Sequence, residues 1–253
     1  MGKIVAVINQ KGGVGKTTTA VNLAAGIGIC GKKVLLIDAD PQGNSTSGMG
    51  IDKRNATVSS YDLLVTGAGA KSATVVTEFQ NVSVIPANID LAGAEIELIN
   101  IPHRENQLKT ALSLIRDEYD YILIDCPPSL GLITVNALTA ADSFLVPIQC
   151  EYYALEGLSQ LISTVRNIKR LYNPLIDIEG VLLTMYDGRL NLTQQVVDEV
   201  KKFFPKKVFN TVIPRTVRLS EAPSFGKPVY YHDKNSKGAK EYLEVAKEIV
   251  TRI

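Results

Sequence analysis

The 253-residue chain has no apolar run approaching the ~18–20 residues needed to cross a bilayer, which excludes a membrane-spanning helix. Its N-terminus lacks an apolar core with a flanking cleavage site, so no secretory leader is expected. Cysteine is scarce: Cys30, Cys126 and Cys150 are scattered, odd in number and without metal-ligand spacing. A disulfide scaffold and a zinc site are therefore not expected, and the thiols read as reduced, mostly buried groups of a cytoplasmic protein. Repeats, low-complexity tracts and interdomain linkers are missing too, so residues 1–253 are expected to form a single domain. With 45% hydrophobic residues, such a chain can bury one substantial core. A net excess of charge is also lacking, the formal balance being +1. That balance is uneven, because residues 1–185 carry 14 Lys/Arg against 18 Asp/Glu and residues 186–253 carry 13 against 8. A basic C-terminal third suits a polyanionic partner. Charge alone leaves ordinary solvated helix faces equally open.

What is present is concentrated near the N-terminus. The run Lys11-Gly12-Gly13-Val14-Gly15-Lys16-Thr17-Thr18 follows an apolar stretch, Ile4–Ile8, and opens into a helical pattern beginning at Thr19. Strand, glycine loop and helix are the context in which backbone N–H groups wrap phosphates. Lys16 is the residue to neutralise the β- and γ-phosphates, and the Thr17 hydroxyl is the ligand for Mg²⁺. The pattern departs from an ordinary P-loop at residue 10, which is Gln where Gly is usual, and adds a second cation, Lys11. Two ammonium groups exceed what one polyphosphate needs. Lys11 is either a solvated loop charge or a group that reaches phosphates held by another subunit.

Apolar, β-branched runs at 4–8, 33–37, 82–85, 121–124, 144–148, 180–185 and 208–213 read as strands. Helical patterns lie between them at 17–29, 91–99, 104–118, 132–140, 155–172, 192–204 and 237–252. Alternation of this kind predicts an α/β protein: a doubly wound, mainly parallel sheet with helices on both faces, as in P-loop NTPases. The stretch 45–80 is rich in Gly, Ser, Thr and Ala and is not assigned. In such sheets ligands sit beyond the carboxyl ends of the strands. Asp38 closes the strand at 33–37 and Asp125 the one at 121–124, so both carboxylates are expected at the phosphate site. Asp125 fits the role of holding a Mg²⁺-bound water, or it caps the next turn. The Pro127–Gly131 stretch after it suits a switch segment, or is simply a rigid turn.

The chain resembles the ParA/Soj partition ATPases, a group of deviant P-loop proteins within the wider MinD/ParA superfamily. Besides the loop, the resemblance rests on Asp38–Asn44, Asp125–Gly131, Gln149–Gly157 and Val217–Ser224, and it runs over essentially the full length. It implies a slow ATPase using ATP and Mg²⁺, with residues 11–18 cradling the nucleotide and Thr17, Asp38 and Asp125 around the metal. It implies that Asp40 orients or activates the attacking water, although Asp40 also reads as a turn former before Pro41. It implies an ATP-sandwich homodimer in which Lys11 crosses to the partner's phosphates, so that Lys11, Lys16 and Asp40 carry catalysis. Pro214 is implied, more weakly, to touch the adenine. Arg189 and Arg218 are implied to bind DNA without sequence preference, where lone loop arginines would otherwise read as solvated. A ParB-like centromere-binding protein is implied as stimulating partner, and the bacterial nucleoid as the place of action.

The main rival is a MinD-like division-site ATPase, which would share the loop and the carboxylates. Its membrane-targeting helix would be more basic, with bulky apolar residues past the domain end. Here residues 239–250 mix Glu with Lys, and Leu243, Ala246, Ile249 and Val250 form a face expected to dock on a core. No membrane association is expected.

Overall fold

The computed structural model describes residues 1–151 and 156–252, so the central part of the Gln149–Gly157 motif lies outside the described residues. Strand β1 (Lys3–Val7) leads through the glycine loop into α1 (Lys16–Ile29), and β2 (Val34–Asp38) follows. The unassigned stretch around 45–80 holds α2 (Asn44–Gly48), α3 (Ser60–Leu64), α4 (Ala70–Ala73) and the two-residue β3 (Val75–Val76). Next come β4 (Val82–Ile85), α5 (Leu91–Glu97), α6 (Gln107–Ser113) and β5 (Tyr121–Asp125). The chain continues through α7 (Leu132–Ala140), β6 (Ser143–Gln149), α8 (Glu156–Leu171), β7 (Asp177–Thr184) and α9 (Asn191–Phe203). Short helices α10 (Val217–Glu221) and α11 (Val229–His232) precede α12 (Lys237–Thr251).

The strands form one seven-stranded sheet in the order β3-β4-β2-β5-β1-β6-β7. All neighbours are parallel except the edge pair β3 and β4. This is the α/β, mainly parallel architecture of P-loop NTPases. Alternate residues of each strand feed two separate apolar layers. Ile4, Ala6, Leu35, Ile37, Ile122 and Ile124 face one side, with α3, α5, α6, α7, α8 and α9 supplying its cover. Val5, Val7, Val34, Leu36, Tyr121 and Leu123 face the other side, covered by α1, α11 and α12. Strands buried on both faces cannot alternate apolar with polar residues, which is why their sequences are continuous apolar runs.

Three local expectations are corrected. Residues 208–213 do not form a regular strand; Val208 bridges Val181 of β7, and the Phe209 and Ile213 amides donate to Val181 O and Leu183 O at 3.0 and 2.8 Å. Between those bonds the amides of Asn210 and Thr211 donate to the Glu248 carboxylate, at 3.1 and 2.9 Å, which interrupts the pairing. The helix expected over 104–118 is shortened to α6 plus a 3-10 turn at Arg116–Glu118. Its first turn is intercepted by Asn136 of α7, which donates to Arg104 O at 2.7 Å and accepts the Leu108 amide at 3.2 Å, the two groups an intrahelical bond would have joined. In α12 the fully buried face is Tyr242, Val245, Ala246 and Ile249, with Leu243 and Val250 at its margins. That face packs on α1, so the terminal helix is docked as expected.

Candidate functional site

The carboxyl ends of β1, β2 and β5 converge where the sheet order reverses around β1, and register sets the site. Val7, Asp125 and Asp38 lie side by side across the three strands. The glycine loop leaves β1 over this edge. Gly13 and Gly15 have φ of 73° and 88°, left-handed conformations that a side chain strongly disfavours, so glycine is required at both. Gly15 immediately precedes α1 and leaves the first helical N–H groups without a side-chain cap, which keeps them available to an anion. The loop is tied down at both ends. Asn9 donates to Pro147 O at 2.7 Å and accepts from the Lys11 amide at 3.0 Å. Thr184, ending β7, donates to Val14 O at 2.8 Å.

Within this frame Lys16 is buried and its ammonium donates to Lys11 O at 3.2 Å. Burial lowers its pKa, opposed by the nearby Asp125, Cys126 and Asp40. The Lys11 side chain, one-third exposed, pairs loosely with Glu151 at 3.8 Å. The two lysines are therefore not equivalent: one is held inside its own site, and the other stands at the rim.

Asp38 and Asp125 are fully buried carboxylates, and burial pushes them up to about 6 and about 7. Their mutual repulsion adds to the rise at Asp125. Asp38 is held by α2: the Thr46 amide and hydroxyl both donate to Oδ2 at 2.7 Å, and the Asp40 amide donates to Oδ1 at 3.2 Å. Asp125 accepts from the Ser45 hydroxyl at 2.7 Å, and the nearby Thr17 side chain also favours its ionised form. Its Oδ1 is buried and, among the described residues, has no hydrogen-bond partner. Asp40 is nearly buried and uses Oδ1 to accept from the Gln42 amide at 2.9 Å, closing the turn after β2. The sequence does not single out Ser45 and Thr46. Their one legible signal is their place directly after Asn44 in the Asp38–Asn44 motif.

These residues fit a magnesium-bound nucleotide. A buried, orphaned carboxylate oxygen beside a threonine hydroxyl is a site for a metal-bound water. No group of three or more His, Cys, Asp or Glu among the described residues is arranged to hold a metal alone. A cation here would rely on Thr17 and phosphate oxygens, as magnesium does in nucleotide sites.

A cavity of about 230 Å³ adjoins the loop, lined by Gly15, Thr18, Met185, Ile213 and Pro214 among others, so Pro214 does face the nucleotide end. A larger hollow of about 550 Å³, around Lys3, Lys33 and Asp120, lies at the opposite, amino end of the sheet, away from the loop. Arg189, in the loop after β7, is exposed and forms a forked pair with Asp187 at 2.8 and 2.6 Å. That pairing holds Asp187 down at about 2. Arg218, on α10, pairs with Glu221 at 2.9 Å and Asp233 at 3.4 Å. Both arginines are thus surface groups held by exposed carboxylates.

Sheet order, glycine loop and paired carboxylates define a P-loop nucleotide-binding protein. A family model described as an AAA domain matches residues 2–178. The chain is 59% identical to the sporulation initiation inhibitor protein Soj of Bacillus subtilis, over 98% of each chain. It is 52% identical to the chromosome partitioning protein ParA of Myxococcus xanthus, over 100% of this chain and 89% of that one. A solved structure of cobyrinic acid a,c-diamide synthase from Mycobacterium smegmatis, with bound ATP analogue and magnesium, superposes with a TM-score of 0.87. It is 38% identical, covering 99% of this chain and 95% of that one. The chain belongs to the Soj/ParA family of chromosome-partitioning ATPases.

Proposed function

We propose that this protein is an ATP-gated, DNA-associated switch that dimerises around two nucleotides and is reset by slow hydrolysis. The observation that carries the reading is the unequal pair of lysines. Lys16 is buried against its own loop, while Lys11 is one-third exposed and, among the described residues, pairs loosely with Glu151 at 3.8 Å. ATP and Mg²⁺ are the ligands. Residues 11–18 cradle the phosphates with backbone N–H groups, and Lys16 neutralises them. Thr17, Asp38 and Asp125 hold the cation, with Ser45 and Thr46 fixing the two carboxylates. Magnesium, when bound, supplies charge to the β- and γ-phosphate oxygens. Asp40 orients and deprotonates the attacking water, and Lys11 completes the cradle of the partner subunit. Pro214 packs against the adenine. Positioning and electrostatics of this kind supply most of the acceleration in phosphoryl transfer.

Dimerisation brings Arg189 and Arg218 of both subunits onto one DNA molecule, where they neutralise phosphates without reading bases. A ParB-like protein stimulates hydrolysis and so times release from the nucleoid. The apolar face of α12 is committed to α1, which favours this reading over membrane attachment. DNA retention measured across a salt series with ADP, ATP and a non-hydrolysable analogue tests the proposal. Retention should require a triphosphate and fall steeply with salt; equal retention in all three states would contradict it.

A further inference from the structure

We infer that Glu95 is a positioning residue for the nucleotide switch: its carboxylate, lodged against Gly131, fixes the Pro127–Gly131 segment that leads away from Asp125. The inference rests on the ATP-switch reading above. Glu95 lies on α5, yet it serves α7. Its Oε2 accepts the Leu132 amide at 2.8 Å and its Oε1 the Ile133 amide at 3.4 Å. Gly131, at the start of α7, offers no side-chain cap of its own. A carboxylate from another helix thus satisfies the orphan donors and faces the positive end of the α7 dipole.

The glycine is explained by the same contact. Gly131 has φ −78° and ψ −168°, extended backbone that any residue adopts. A Cβ there would stand 2.3 and 2.6 Å from the Glu95 carboxylate oxygens. Glycine leaves the room that the Glu95 carboxylate occupies, and a side chain at 131 would displace that carboxylate.

The segment that Glu95 secures is short and stiff. It starts at Asp125, whose next residue bonds through its amide to Val7 O at 3.2 Å. Pro127 and Pro128 restrict it, and the Thr134 hydroxyl holds Ser129 O at 2.6 Å. A shift at Gly131 therefore carries back toward Asp125 with few torsions to absorb it. The other end of the same connection leads to Asp38. The Ala87 amide, a few residues before α5, donates to Thr46 Oγ1 at 2.9 Å, and Thr46 in turn grips Asp38. The α5 region thereby ties together the stretches that follow both buried carboxylates. An ordinary helix cap would contribute stability alone, whereas a positioning residue also controls how the switch segment answers the nucleotide.

The test compares Glu95→Ala, Glu95→Gln, Gly131→Ala and the double variant Glu95→Ala/Gly131→Ala with the parent. Hydrogen exchange of peptides spanning 126–133 is followed with and without Mg²⁺ and a non-hydrolysable ATP analogue, alongside steady-state hydrolysis. In the parent the analogue should slow exchange of 126–133; in Glu95→Ala that response should be lost, while residues 11–18 are still protected. kcat should fall about tenfold or more in Glu95→Ala with KM within about twofold, as expected for misplacement of a reacting group without loss of binding. Glu95→Gln, which keeps an acceptor, should recover most of both responses. Gly131→Ala should fail in the same way, and removing the Glu95 carboxylate should relieve the added defect in the double variant. A parent that binds the analogue without hydrolysing ATP would sink the ATPase reading, and the exchange comparison would still decide the role of Glu95. Equal protection of 126–133 in parent and Glu95→Ala, or a kcat that tracks only a lowered melting temperature, would overturn the inference.

Discussion

Ser45 and Asp125 meet across eighty residues of chain: the serine hydroxyl donates to Asp125 Oδ2 at 2.7 Å, while Oδ1 stays buried without a partner among the described residues. One oxygen of the carboxylate is satisfied by the fold, and the other is left for a ligand. Ser45→Ala removes the donor from the satisfied side and leaves a second oxygen stranded. Losing one partner of a buried hydrogen bond costs about 1–3 kcal/mol. The nucleotide-free variant should be less stable by that amount and melt at a lower temperature. Mg²⁺ with ATP analogue should restore part of the loss, read by thermal denaturation with and without the ligand.

The buried pair also sets a pH dependence. Asp38 and Asp125 are raised by burial to about 6 and about 7, from an ordinary value of 3.8. Between those limits the folded state keeps protons that the unfolded state has lost, so stability falls as pH rises. The nucleotide-free protein should thus lose stability from about pH 4 to about pH 7 on account of this pair, then level off. Mg²⁺ binding with nucleotide should flatten the slope, because a cation favours the ionised carboxylates. Denaturant titrations across that range, with and without Mg²⁺ and analogue, measure both limbs.

Much of this site was legible from residues alone, and the remainder was hidden for definite reasons. The loop, Asp38 and Asp125 stand out because each follows a continuous apolar strand, and parallel strands deliver their carboxyl ends to one edge, whereas Asp40 is marked by the family resemblance. Ser45 and Thr46 do not, because a small hydroxyl residue in a Gly- and Ser-rich stretch looks like loop chemistry until α2 folds it against the carboxylates. Residues 208–213 read as a strand by composition. Their course is decided by Glu248 on α12, a tertiary partner that no local pattern reveals. The shortened α6 turns on Asn136 of α7, which takes up Arg104 O and the Leu108 amide and which no pattern within 104–118 reveals.

Asp40 should separate binding from chemistry. Among the described residues its side chain accepts the Gln42 amide, while its bonds to the Gly43 amide and to Asp38 Oδ1 are made by its backbone. Asp40→Ala should therefore keep ATP affinity within a few-fold while lowering turnover by about 100-fold or more, the scale of a lost general base. Phosphate release under single-turnover conditions checks it, together with equilibrium binding of a fluorescent analogue.

Among the described residues Arg189 is held by a solvent-facing pair with Asp187, and such pairs contribute little in water. The guanidinium can therefore be handed to a phosphate at small cost. Arg189→Glu should abolish DNA retention at physiological salt without changing ATP-dependent dimerisation. Arg189→Ala should weaken it and reduce the salt slope by about one per subunit engaged. Filter retention across a salt series provides both numbers.

Lys11 carries the central claim, since it joins nucleotide to self-association. Light scattering should give a single-subunit mass with ADP and twice that mass with the non-hydrolysable triphosphate and Mg²⁺. Lys11→Ala should bind the triphosphate yet stay at the single-subunit mass. A mass that is the same for both nucleotides in the parent, or a Lys11→Ala protein that doubles as the parent does, would contradict the account.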